Sequence, residues 1–187
     1  KNSGHVMSGG KTSKSSHGGG VFLGGNVLGV STLSLLPQTK VGDDAVLELD
    51  SWQLQGFTGF SPAVAVFTTF MPDHMNYYAG DMKQYFADKA NIYRNQNEQD
   101  VLLVSEQVAE FIKKFGPKPR GRVVVAHADE VPESWEIKIP GEHNRLNIAL
   151  ALKAAQAMGV PEKTVEKVVA RFHAIPGRLE LVRTVRG

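Results

Sequence analysis

The sequence predicts an α/β protein with a mostly parallel sheet flanked by helices, and three observations carry that reading. Short apolar, β-branched runs recur along the chain, segments with apolar residues at steps of three and four separate them, and the two kinds alternate from Val21 onward. Residues 1–20, KNSGHVMSGGKTSKSSHGGG, are crowded with Gly, Ser and Lys and nearly free of large apolar side chains, so they are expected as a flexible leader or loop. The runs VFLGGN, AVLEL, AVAVFTTF, DVLLV and RVVVAHA follow as strands. Their continuous apolar character is that of strands buried on both faces.

The helices have their own signatures. DMKQYFADKANIYRNQ spaces Met82, Tyr85, Phe86, Lys89 and Tyr93 along one face, with Asp81 as N-cap. SEQVAEFIKKFG has Ser105 ahead of the run, lysines in the last turn and Gly116 at the C-cap position. NRLNIALALKAAQAMG and PEKTVEKVVARF read as consecutive helices, and LELVRTV closes the series as a strand. WEIKI alternates and is expected as an edge strand.

Composition narrows the class of partner. The 187 residues are 42% hydrophobic and 21% charged, enough for one sizeable core, and the net charge of +2 argues against nucleic-acid binding by bulk electrostatics. No apolar run approaches the roughly 20 residues of a membrane span, so no membrane partner is expected. The absence of cysteine excludes disulfides, thiolate metal sites and a cysteine nucleophile, and favours a cytoplasmic address. A small-molecule ligand is the expectation.

In open α/β sheets, ligands collect beyond the carboxyl ends of the strands. Asn26 follows VFLGG, Glu48 ends AVLEL, and Asp73 with His74 follows AVAVFTTFMP. Each alone reads as a cap or surface residue; together, Glu48 and His74 can hold a divalent cation, with phosphate oxygens and water completing the shell. Lys89 fits such a site poorly, because an ammonium repels a cation. It reads either as a lysine snorkelling from an amphipathic helix or as a group neutralised or chemically modified. Asn144 and Asn147 share a face near the start of a helix, where they serve as capping residues or present amides to a ligand. Arg178, before the last strand, suits a phosphate or a pair with Glu180.

The strings LGGN, LELDSWQLQ, PDHMNYY, YFADKANIY, PGEHNRLN and IPGRLELV stand in the order and approximate spacing of the Mur ligase central domain, which residues 21–187 resemble. The resemblance implies a P-loop NTPase-like fold and ATP-dependent amide formation through an acyl phosphate, with two Mg2+ ions. It implies Glu48, His74 and a carbamylated Lys89 as the metal-holding catalytic set, Asn26 as a substrate contact, and Asn144, Asn147 and Arg178 as nucleotide contacts. The ELDSWQLQ string resembles the branch that joins D-glutamate to UDP-N-acetylmuramoyl-L-alanine in peptidoglycan synthesis. Alternatives are a sister Mur ligase, a folylpolyglutamate synthetase, and a non-catalytic scaffold or binding module that keeps the fold.

Departures from the family pattern shape the expectations. The family's glycine-rich phosphate loop, strand and helix have only GKTSKSS as a counterpart, where Lys14 and Ser15 align with the phosphate-binding lysine and hydroxyl but Ser13 replaces a glycine. The leader is accordingly either a working loop or a tag or linker standing in for the first β-α unit. Thr69 and Gly177 occupy positions where asparagine and histidine are usual. The UDP-binding N-terminal domain and the C-terminal domain of the family fall outside the match, so the chain is expected as a ligase fragment, inactive without those domains.

Overall fold

The computed structural model describes residues 11–14, 18–26 and 31–174, and the chain divides into two compact units at Gly56 and Phe57. Ser15, Arg178 and the expected strand LELVRTV lie outside the described residues. Among the described residues no helix is long and apolar enough to cross a membrane.

In the first unit, β1 (Lys11–Lys14), β2 (Gly20–Gly25) and β3 (Asp44–Glu48) form a three-stranded sheet in that order. β1 runs antiparallel to β2 with a bulge between Lys11 and Ser13, whereas β2 and β3 are parallel. Part of the expected leader is thus an edge strand, which needs only main-chain partners and no apolar face. Phe22 of β2 and Leu35 of a following 3-10 turn are buried, but Ala45, Val46 and Glu48 of β3 are exposed, so the expectation of two covered faces fails for this strand. A short helix, α1 (Ser51–Gln55), follows. Its N-terminus carries a reciprocal cap: the Gln53 N–H donates to Asp50 Oδ1 at 2.8 Å and the Asp50 N–H to Gln53 Oε1 at 3.1 Å.

The second unit is a three-layer sandwich. β4 (Val64–Phe67), β5 (Val101–Ser105) and β6 (Arg122–Ala126) form an all-parallel sheet with β5 in the middle. Every residue of β5 is buried, and the strand's period of two sends Leu102 and Val104 to one face and Val101 and Leu103 to the other. On the first face pack α2 (Met82–Lys89) and α3 (Glu106–Phe115), through Tyr85, Phe86, Val108 and Ile112. On the second pack α4 (Glu142–Ala157) and α5 (Glu162–Val169), through Ile148, Ala149, Leu152 and Val165.

The starts of α2 and α3 are those the sequence predicts. Asp81 accepts from the N–H groups of Lys83 and Gln84, Ser105 accepts from Val108, and Gly116 ends α3. α2 stops earlier than the spacing predicts, tightening into a 3-10 turn at Ala90–Ile92. WEIKI is not a strand: its alternation arises because Trp135, Ile137 and Ile139 pack onto the cluster under α4 without a sheet partner.

Candidate functional site

In the first unit the backbone brings Asn26 and Glu48 together. Gly25 pairs with Glu48 across the parallel strands, and the Asn26 N–H donates to the Glu48 carbonyl at 2.6 Å. Gly25 adopts φ +94, and a Cβ there would sit 1.9 Å from the Glu48 carbonyl oxygen, so only glycine permits this approach. Both the Asn26 and Glu48 side chains are exposed at the carboxyl end of the sheet. Lys14 is the last residue of β1, its backbone paired with Gly20.

In the second unit the segment from Met71 to Gly80 connects β4 to α2. His74 has φ 54, a left-handed backbone that costs a residue other than glycine on the order of 1 kcal/mol. Its N–H donates to Asp73 Oδ1 at 2.8 Å and its Nε2 lies 3.4 Å from Asp73 Oδ2, so one carboxylate holds both ends of the histidine. The imidazole stands edge-on to the Tyr85 ring, 6.4 Å between centroids, and Lys89 Nζ lies 5.2 Å from the centroid of the same ring. Burial, with the nearby Asp73 carboxylate and Tyr78 adding to it, pushes the Tyr85 phenol up from 10.0 to about 12. It stays neutral at physiological pH.

Upstream, Phe70 is fully buried and its ring packs against Phe67, Tyr85, Phe86 and Phe111 at centroid distances of 4.8 to 6.3 Å. Its backbone is met from α3 by the exposed Gln107: the Phe70 N–H donates to Oε1 at 3.1 Å, and Nε2 donates to the Phe70 carbonyl at 2.9 Å.

A cleft of about 570 Å³ opens at the carboxyl ends of β5 and β6, with Ser105, Gln107, His127, Asp129, His143 and Leu146 among its walls. The His127 Nδ1 lies 3.9 Å from Glu106. Behind it, Glu130 accepts from the His127 N–H at 2.8 Å and pairs with Lys153 at 2.6 Å. Burial pushes the Glu130 carboxyl up, but the hydrogen bonds and charges of Lys153 and His127 outweigh it and hold the group below its ordinary value. Asn144 and Asn147, at the start of α4, are not walls of the cleft. Asn144 donates from Nδ2 to the Pro140 carbonyl at 2.7 Å, and Asn147 is exposed.

Of the residues predicted from sequence, Asn26 and Glu48 therefore meet through their backbones, and His74 and Lys89 each contact the Tyr85 ring. Among the described residues no three His, Asp or Glu side chains cluster as metal ligands. Two participants escaped the sequence reading. Tyr85 as a shared platform had a signal, its i,i+4 spacing from Lys89 on the helix face. Gln107 had none, because its partner is distant in the chain.

The model of the Mur ligase middle domain matches residues 24–135. UDP-N-acetylmuramoylalanine--D-glutamate ligase from Nitratidesulfovibrio vulgaris is 36% identical over 162 residues, covering 87% of this chain and 36% of that protein. The ligase of the same name from Geobacillus kaustophilus is 31% identical over 184 residues, covering 89% and 40%. The chain thus spans well under half the length of these relatives. A crystal structure of UDP-N-acetylmuramate:L-alanyl-gamma-D-glutamyl-meso-diaminopimelate ligase from Neisseria meningitides superposes with a TM-score of 0.53 at 16% identity, covering 74% of this chain and 50% of that one. That likeness is one of fold.

Proposed function

Because the chain belongs to the Mur ligase family through its middle domain, we propose that it supplies the nucleotide- and metal-handling part of an enzyme joining D-glutamate to UDP-N-acetylmuramoyl-L-alanine. On this reading residues 21–187 are the central domain and residues 1–20 its leader, working in the cytoplasm with domains supplied elsewhere. ATP phosphorylates the alanine carboxylate, the D-glutamate amine attacks the acyl phosphate, and phosphate leaves as the amide forms.

The meeting of His74 and Lys89 at one ring is the observation that carries the proposal. Magnesium keeps several waters and takes one or two protein ligands beside substrate phosphates; the half-exposed His74, with the Asp73 carboxylate beside its Nε2, would supply one of them. Glu48 and His74 would hold the two ions, and magnesium when bound neutralises charge on the transferring phosphoryl group. Lys89 joins this set only as a carbamate, an anion; as an ammonium it is held by the face of Tyr85. Asn26 orients the muramoyl substrate. Asn144 keeps its amide oxygen available, because its Nδ2 is spent on Pro140, and with Asn147 it receives the nucleotide base. Lys14, Ser15 and Arg178 complete the phosphate contacts.

The test is titration of the chain with Mg·ADP, followed by D-glutamate-dependent phosphate release when it replaces the matching segment of the Geobacillus kaustophilus relative. Binding of Mg·ADP with release confined to D-glutamate supports the proposal. Release driven by another amino acid, or Mg·ADP binding indifferent to Glu48 and His74 substitution, overturns it.

A further inference from the structure

We propose that Gln107 is the positioning residue for His74, an inference that rests on the reading of His74 as a metal ligand. His74 sits at the end of a short exposed run, Met71 to Asp73, that leaves the core at Phe70. Ring packing fixes where Phe70 is, but a ring can swivel about its own Cα–Cβ bond and leaves open how the peptide groups on either side are turned. Those groups set the direction in which the chain departs toward His74. Gln107 meets both of them at once, accepting from the N–H and donating to the carbonyl. A backbone N–H accepts no partner but an acceptor, and a carbonyl none but a donor, so the primary amide is a side chain of matched polarity for this double contact.

Further anchors lie downstream. The Tyr77 and Tyr78 N–H groups donate to the His74 carbonyl at 2.9 and 3.2 Å, and the buried Tyr78 ring packs on Tyr85 with centroids 4.9 Å apart. Without Gln107 the run preceding His74 would lose both of the side-chain hydrogen bonds that meet its backbone at Phe70. Asp73 travels with His74, because its carboxylate binds the His74 N–H and faces Nε2. Gln107 thereby aims the pair rather than the imidazole alone. The same residue is a wall of the cleft beyond β5 and β6, so one side chain spans from that cleft to the departure of the His74 segment.

The experiment compares the chain with Gln107→Met, which keeps length and removes both hydrogen bonds, and Gln107→Glu, which keeps an acceptor and at neutral pH removes the donor. The first readout is amide hydrogen exchange without metal. The second is the broadening of the His74 ring resonances by Mn2+ as the probe ion. In Gln107→Met the Phe70, Tyr77 and Tyr78 amides should exchange about five-fold or more faster while α3 and β5 keep their protection, and the Mn2+ dissociation constant at His74 should rise by a similar factor. Gln107→Glu should lie between that variant and the original chain. Unchanged exchange at those amides overturns the inference. So does faster exchange with unaltered Mn2+ affinity, which would make the contact a fold staple only. No broadening of His74 in the original chain overturns the metal reading and the inference with it.

Discussion

His74 and Lys89 meet across a single ring: the imidazole stands edge-on to Tyr85 at 6.4 Å and the lysine ammonium lies over its face at 5.2 Å. An aromatic face is electron-rich and its edge electron-poor, so the ring attracts the ammonium at its face. The arrangement holds the unmodified lysine on the same ring that the candidate metal ligand contacts, without requiring an ion there. Conversion of Lys89 to an anion would replace attraction to the ring face by repulsion and release the group for the cation.

Glu48→Ala should abolish ligase turnover in an assembled enzyme while changing the stability of the chain by no more than about 0.5 kcal/mol. The side chain is exposed, so its loss leaves no cavity, and the Asn26 and Gly25 contacts use only the Glu48 backbone. Urea unfolding and the magnesium dependence of phosphate release check the two halves. Unaltered kinetics would remove Glu48 from the metal set.

His74→Asn should fold as well as the original chain, because asparagine tolerates a φ of 54 better than most residues, yet lose metal affinity. His74→Val should lose both, since a β-branched side chain resists that backbone. Thermal unfolding and Mn2+ titration of the two variants together separate the backbone requirement from the imidazole's.

Alkaline unfolding should report the buried phenols. The Tyr85 phenol is pushed up to about 12 in the fold, and burial pushes the Tyr93 phenol up as well, against an ordinary value of 10.0. Above pH 10 the unfolded chain gives up protons that the folded chain keeps, so this contribution is whole below pH 10 and is lost as pH rises through 12. Urea midpoints between pH 9 and pH 12 should fall, and Tyr85→Phe with Tyr93→Phe should flatten the decline.

Glu130→Gln should destabilise the chain by about 1 kcal/mol near neutrality, a modest figure because the Lys153 pair is partly exposed and solvent-screened. The carboxyl lies below its ordinary 4.5 in the fold, so its contribution is present above that value and is lost as pH falls through the folded one. The difference between variant and original should therefore shrink in acid. A difference that stays constant with pH would show that hydrogen bonding alone, and not charge, is at work.

Features set by near neighbours were legible in the sequence. Asp81 and Ser105 cap helices through atoms two or three residues away, and β5 announces burial by being apolar throughout. The reciprocal cap of Asp50 and Gln53 is equally local, although LELDSWQLQ carries too few apolar residues at helical spacing to announce a helix of only five residues. Trp135 to Ile139 misled, since alternate burial needs only a core on one side and not a neighbouring strand. β3 misled the other way, with Ala45 and Val46 standing exposed and Leu47 only half-buried. The Gln107 contact with Phe70 has no local trace at all: it exists only after β4 and β5 pair.

Gly25 constrains how this protein can change over evolutionary time. Since any Cβ there would collide with the Glu48 main chain, the spacing between Asn26 and Glu48 is inherited through a backbone that tolerates one residue type. Either neighbour can drift in side chain without disturbing the other's location. A lineage that abandoned the chemistry at Glu48 would still carry its address, and a substitution at Gly25 would erase both positions in one step.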